Sequence, residues 1–77
     1  MKFITEAQID AALQKHNILI ISLWAPWCQE CKWNETQLEQ VLKYFNVGSY
    51  LAHWDDSQHL KGRYSLVGLP TTLLFLR

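Results

Sequence analysis

The chain carries no net charge, because seven Lys and Arg balance seven Asp and Glu. That balance excludes the basic field by which proteins hold nucleic acid or anionic membrane. No apolar run approaches the ~20 residues needed to span a bilayer. The N-terminus, Met-Lys-Phe-Ile-Thr-Glu, has a lysine but no apolar h-region, so it does not read as a secretory signal. With Met1 as the native start, a cytoplasmic location is expected; for an excised domain the compartment stays open, periplasmic or other. Three glycines and two prolines are spread through 77 residues without a repeat, a low-complexity tract or a linker. The length predicts a single domain, residues 1–77, with a small core and marginal stability. Cysteine is scarce as well. There are only two, three apart, which excludes a disulfide framework of the kind that staples mini-proteins.

What is present is a strand–helix alternation. Lys2 to Ile4 suits a short strand. Thr5 and Gln8 have the spacing of a capping box, and Ile4 and Ile9 that of a hydrophobic staple, so the first helix is predicted over Glu6 to Lys15. Ile18 to Leu23 is apolar except for Ser22, the pattern of a strand buried on both faces and central in a sheet. Pro26 ends it, and a second helix begins near Cys28. Leu38, Val41, Leu42 and Phe45 repeat at helical spacing and predict that helix's buried stripe. On the same helix Glu39 and Lys43 form an attractive pair, whereas Glu35 and Glu39 do not. Gly48 is read as closing the turn that follows. Tyr50 to Trp54 is a further strand. Asp55, Asp56 and Ser57 are caps for a short third helix carrying Leu60 and Tyr64, weakened by Gly62. Gly68-Leu69-Pro70 breaks the chain before an apolar, β-rich run, Thr71 to Leu76. The order is that of an α/β domain with crossover helices.

Cys28 and Cys31 stand where the central strand turns into the second helix. A lone Cys-x-x-Cys in that setting reads first as a redox pair. The spacing brings the two α-carbons within disulfide range, roughly 5–6 Å. The helix N-terminus stabilises a thiolate on the first sulfur, so Cys28 is expected to attack and Cys31, one turn in, to resolve the mixed disulfide. Glu30 opposes thiolate formation and Lys32 favours it from further away. On that basis Glu30 tilts the site toward reduction of substrates. Two plainer accounts compete. The cysteines could be core hydrophobes. They could also supply two zinc ligands, completed by His53 and His59 or by a second chain, although the spacing to the histidines fits no zinc pattern. His16, His53 and His59 otherwise read as surface or satisfied polar groups, and Trp24, Trp54, Tyr50 and Phe75 as core.

Trp24-Ala25-Pro26-Trp27-Cys28-Gln29-Glu30-Cys31-Lys32 resembles the Trp-Ala-x-Trp-Cys-x-x-Cys-Lys signature of the thioredoxin family. Tyr64 to Thr71 resembles its second signature, ending Gly-x-Pro-Thr. The resemblance covers essentially the whole chain. It implies a thioredoxin-like α/β fold with a central mixed sheet in the order 1-3-2-4, the last strand antiparallel, and helices on both faces. It implies a cis bond before Pro70, with Leu69 and Pro70 holding an extended substrate chain beside an apolar wall at Trp27. It implies a thiol–disulfide oxidoreductase acting on protein disulfides. No cofactor is implied beyond an electron-donating reductase.

Two departures from the family pattern stand out. Ser22 occupies the place of a buried Asp that handles the resolving cysteine's proton in the family. The chain also stops at Arg77, before the family's last strand and helix. Thr71 to Leu76 is then an open apolar edge. It could belong to a truncation, to a homodimer, or to a partner that supplies the missing elements. A non-catalytic binding or assembly module using that edge is the main alternative to an enzyme. A metal-binding dimer built on the cysteine pairs is the weaker one.

Overall fold

The computed structural model describes residues 1–77. β1 (Lys2–Phe3) leads through a 3-10 turn (Glu6–Gln8) into α1 (Ile9–Lys15). β2 (Ile18–Trp24) feeds α2 (Gln29–Leu42), and β3 (Gly48–His53) feeds a 3-10 turn (Trp54–Asp56) and α3 (Gln58–Arg63). β4 (Thr71–Leu76) ends the sheet. The order is β1-β3-β2-β4, with β1 and β2 parallel to β3 and β4 antiparallel to β2. This agrees with the order implied by the sequence, and no strand or helix follows β4.

The two sheet faces are covered unequally. Leu19, Ile21 and Leu23 of β2 are fully buried and pack with Ile9 and Ala12 of α1, Leu60 of α3 and Ala52 of β3. The alternate residues of β2 face α2, where Ser22 is buried but Ile18 is 37% exposed. One helix about 10 Å across covers only part of a sheet whose four strands lie about 4.8 Å apart. Leu74 and Leu76 on the same face are therefore 60% and 71% exposed. The stripe read as buried on the second helix is corrected for the same reason. Leu38 and Leu42 are half-buried and Val41 is exposed, while Phe45 falls after the helix has ended at Leu42 and is exposed too.

Other local expectations shift. Thr5 N donates to Gln8 Oε1 at 2.9 Å, and Ile4 and Ile9 are both buried, as the capping pattern predicts. Gly48 does not close the turn after α2. It is buried as the first residue of β3, opposite Leu19, and a Cβ there would lie 2.5 Å from the His16 ring. That ring in turn meets the Tyr50 hydroxyl at 3.3 Å. Lys43 lies over the Tyr44 ring rather than pairing with Glu39.

Glu39 and Glu35 instead share the Met1 ammonium, at 3.1 and 3.3 Å. The hydrogen bond it donates to Glu39 raises the pKa of that amino group above its usual value; partial burial opposes the shift and Glu35 reinforces it. A raised folded-state pKa gives stability that is complete below the unfolded value of 8.0 and is lost as pH rises through the folded one. For the chain with a free Met1 amino group, thermal midpoints should fall as pH climbs above about 8. Acetylation of that group should remove this part of the pH dependence. An unchanged profile after acetylation would show that the ion pair contributes nothing.

α3 is capped from outside its own segment. Ser57 directs its hydroxyl to His53 O at 2.7 Å and makes no cap bond, so the N–H of Leu60 in the first turn lacks a local partner. Glu6, at the entry to α1, accepts it at 2.7 Å. The bond ties two helices on one sheet face and satisfies an orphan donor. Glu6→Ala should cost about 1–2 kcal/mol, measured by urea unfolding, because a partly buried N–H is left unpaired. Glu6→Gln, which keeps an acceptor, should recover most of it. At its other end α3 closes with Ser65 at φ 53° and Leu66 N bonded to Lys61 O at 2.9 Å. This Schellman-type stop turns the chain toward Leu69 and Pro70.

Candidate active site

β2 is rigidly placed because it is the central strand, bonded to β3 on one side and β4 on the other. It ends at Trp24, and Cys28 N bonds back to Ala25 O at 3.0 Å, so the turn delivers Cys28 directly to the start of α2. Cys28 is the N-cap, and its sulfur accepts from Cys31 N at 3.1 Å. The two cysteines form a disulfide with α-carbons 5.3 Å apart. Sulfur thus takes the place of the usual Ser, Thr, Asp or Asn oxygen in satisfying a helix N–H. The same N–H and the helix dipole would stabilise negative charge on Cys28 once the disulfide opens.

The pair is nearly enclosed. Cys28 is 4% and Cys31 1% exposed. Both pack with Ala25, and Trp24, Trp54 and Leu69 lie against them. The Leu69–Pro70 peptide is cis, and Thr71 Oγ1 donates to Gly68 O at 2.6 Å, holding this loop as β4 begins. Trp27 is 68% exposed and Val67 98% exposed. Glu30 and Lys32, flanking Cys31, are also exposed. The reading of Trp24 and Trp54 as plain core is therefore refined: both are half-buried and shared between the main core and the cysteine cluster. Trp24 Nε1 is buried without a hydrogen-bond partner.

The histidines do not join the cysteines. His16 bonds Tyr50, His53 is stacked on Phe3 with ring centroids 4.0 Å apart, and His59 is exposed. No group of three or more His, Cys, Asp or Glu side chains is placed to hold a metal ion. No helix is long and apolar enough to cross a membrane.

The structure adds polar contacts that sequence reading missed. Asn34 Nδ2 reaches Ser22 Oγ at 3.3 Å and Thr72 Oγ1 at 3.5 Å, and the two hydroxyls are 3.3 Å apart. The signal was present in the spacing. Asn34 falls three residues after Cys31, and so on the same side of the helix.

A mixed sheet that sets a disulfide-bonded cysteine pair at a helix N-terminus has the geometry of a dithiol–disulfide site. The thioredoxin family model matches residues 1–77, and the chain belongs to the thioredoxin family. It is 28% identical over 68 residues to Thioredoxin 2 of Plasmodium falciparum, covering 86% of this chain and 43% of that protein. It is 32% identical over 73 residues to a protein disulfide-isomerase of Triticum aestivum, covering 86% of this chain and 14% of that one. In fold it is similar to a mutant thioredoxin from Halobacterium salinarum NRC-1, with TM-score 0.84 at 21% identity, over 99% of this chain and 67% of that one. The chain thus spans less than half the length of the curated relatives named here.

Proposed function

We propose that this chain is a protein thiol–disulfide oxidoreductase that works mainly as a disulfide reductase. The observation that carries the reading is the Cys28–Cys31 disulfide capping α2, with Cys31 N on the Cys28 sulfur at 3.1 Å. In the reduced protein the Cys28 thiolate attacks one sulfur of a substrate disulfide. A Cys28–substrate bond forms, the substrate S–S bond breaks, and the pair leaves on the other substrate sulfur. Cys31 then attacks Cys28, closes the internal disulfide and releases the second substrate thiolate. Substrate lies between Trp27 and the Val67–Pro70 loop, with Leu69 and Pro70 holding its backbone. Glu30 keeps the Cys28 thiolate from being over-stabilised, which favours donating electrons, while Lys32 moderates it. An electron-donating reductase restores the dithiol, and no bound cofactor takes part. A cytoplasmic setting, where thiols are kept reduced, suits that direction. All of this belongs to the single domain formed by residues 1–77.

A second reading draws on the open side of β4, where Leu74 and Leu76 are exposed beside an unpaired edge. There a second copy or a partner would bind by strand addition, with or without redox activity. The deciding experiment is reduction of insulin disulfides by the purified chain with dithiothreitol, beside Cys28→Ser. Turnover that disappears in the variant supports the oxidoreductase. A folded, metal-free protein without turnover favours the binding module. Stoichiometric zinc or iron in the purified protein would point to the metal-binding dimer.

A further inference from the structure

Helical spacing gives α1 and α3 facing sides of opposite charge. Glu6, Ile9, Asp10 and Leu13 stand at i, i+3, i+4 and i+7, so they share one side of the first 3-10 turn and α1, which follow each other without a break. On α3, His59 and Arg63 are four apart and share a side in the same way. Between the two lies a cleft of about 310 Å³. Its apolar part is made by Ile9, Leu13 and Leu60, with Phe75 of β4. Its rim is acidic on α1, where Glu6 and Asp10 line it, and carries His59 and Arg63 on α3.

The two rims do not neutralise each other. Ion pairs within 4.0 Å are confined to the Met1 ammonium, so neither His59 nor Arg63 reaches a carboxylate. Glu6 Oε2 accepts from Leu60 N, which leaves Oε1 uncommitted. Asp10 and Arg63 are exposed, and the Arg63 guanidinium lies over the Tyr64 ring, 5.6 Å from its centroid. An anion in this cleft would meet Arg63 but also two carboxylates. A simple cation would meet the reverse conflict. A molecule carrying both signs on an apolar body satisfies both rims. The volume sets its size. At about 30 Å³ per water the cleft holds about ten waters, so its occupant has on the order of ten to fifteen heavy atoms.

We propose that the cleft between α1 and α3 binds a free α-amino acid with a large apolar side chain, of which phenylalanine is the representative. The ring packs on Phe75 and against Ile9, Leu13 and Leu60. The α-carboxylate accepts from Arg63, which can hold it with two parallel bonds, and from a ring nitrogen of His59. The α-ammonium donates to Asp10 and to Glu6 Oε1. Exposed ion pairs add little each, so the buried ring supplies most of the affinity and the charges supply selectivity. The dissociation constant is on the order of 0.1–1 mM. No residue of this cleft belongs to the Ala25, Cys28 and Cys31 cluster or packs on it. The site is therefore independent of the dithiol reading.

The test is titration of the nitrogen-15-labelled chain with L-phenylalanine, followed by amide NMR shifts. Saturable shifts should centre on Ile9, Leu13, Leu60 and Arg63. Phenylalaninamide, which lacks the carboxylate, and N-acetylphenylalanine, which lacks the ammonium, should each bind at least about threefold more weakly. Arg63→Gln should weaken phenylalanine by a similar factor and erase its advantage over the amide. Asp10→Asn should erase its advantage over the acetyl derivative. Both residues are exposed, so thermal midpoints should hold, which separates lost recognition from lost fold. No saturable shift up to about 10 mM phenylalanine overturns the proposal. Shifts centred outside the cleft overturn it as well. So does equal affinity for the three ligands, which would mark an apolar hollow blind to the head group. Midpoints that fall together in Arg63→Gln and Asp10→Asn, with no binding to the unsubstituted chain, would show that the rims pair directly and close the cleft.

Discussion

Replacing Cys31 with alanine should turn the protein from a catalyst into a trap. Cys28 keeps its place at the N-terminus of α2, because the cap bond it accepts comes from the backbone N–H of residue 31 and not from that residue's side chain. Attack on a substrate disulfide therefore proceeds, and the Cys28–substrate bond forms as before. Release fails, since the only internal thiol able to displace the substrate is gone. Insulin reduction should fall at least about a hundredfold, and a covalent adduct should appear by intact mass, reversible with dithiothreitol. Cys28→Ser should show neither adduct nor turnover. Packing explains why this asymmetry is readable. Cys31 is 1% exposed against Ala25, Leu69 and two tryptophans, so an external thiol has poor access to its side of the bond. An adduct of equal yield on Cys28→Ser would mean that the order of attack is reversed.

The elements on the buried face were legible because each carries its own local signal. The Ile4–Ile9 staple, the apolar run of β2 and the apolar, β-rich run of β4 can each be read within a few residues. The dithiol was legible for a sharper reason: two cysteines three apart at a strand-to-helix turn have few other uses. What stayed hidden depends on partners far apart in the chain. Glu6 caps a helix 54 residues away, and no pattern around Ser57 shows that its hydroxyl will turn back to His53. Asn34 is an ordinary polar residue until β4 brings Thr72 beside Ser22. The apolar stripe on α2 was misread because helical spacing identifies an apolar side without saying how much sheet lies beneath it. Val41 has the right period yet is 55% exposed, and Phe45 falls past the end of the helix at Leu42.

That inequality between the two faces sets up the second large effect. Ile21 is fully buried among Ile4, Ile9, Ala12, Leu23 and Leu60. Ile21→Ala removes its side chain from the centre of the core and leaves a cavity, at a cost of about 2–5 kcal/mol. A chain of this length has total stability on the order of 4–12 kcal/mol, so the loss is a large share of it. The thermal midpoint should drop by at least about 8–16 °C, and at the upper end of the cost the variant should be partly unfolded at 25 °C. Leu74, opposite Ile20 on the other face, provides the contrast. At 60% exposure, Leu74→Ser should change stability by less than about 1 kcal/mol in dilute solution. It should also weaken any self-association through the β4 edge, read as a lower sedimentation coefficient at high concentration. Circular dichroism melts over a range of protein concentrations read the stability of both variants. If Leu74→Ser proves as damaging as Ile21→Ala, with a midpoint that depends on concentration, then the α2 face is buried in solution against another copy. The two faces would then be equally important to folding.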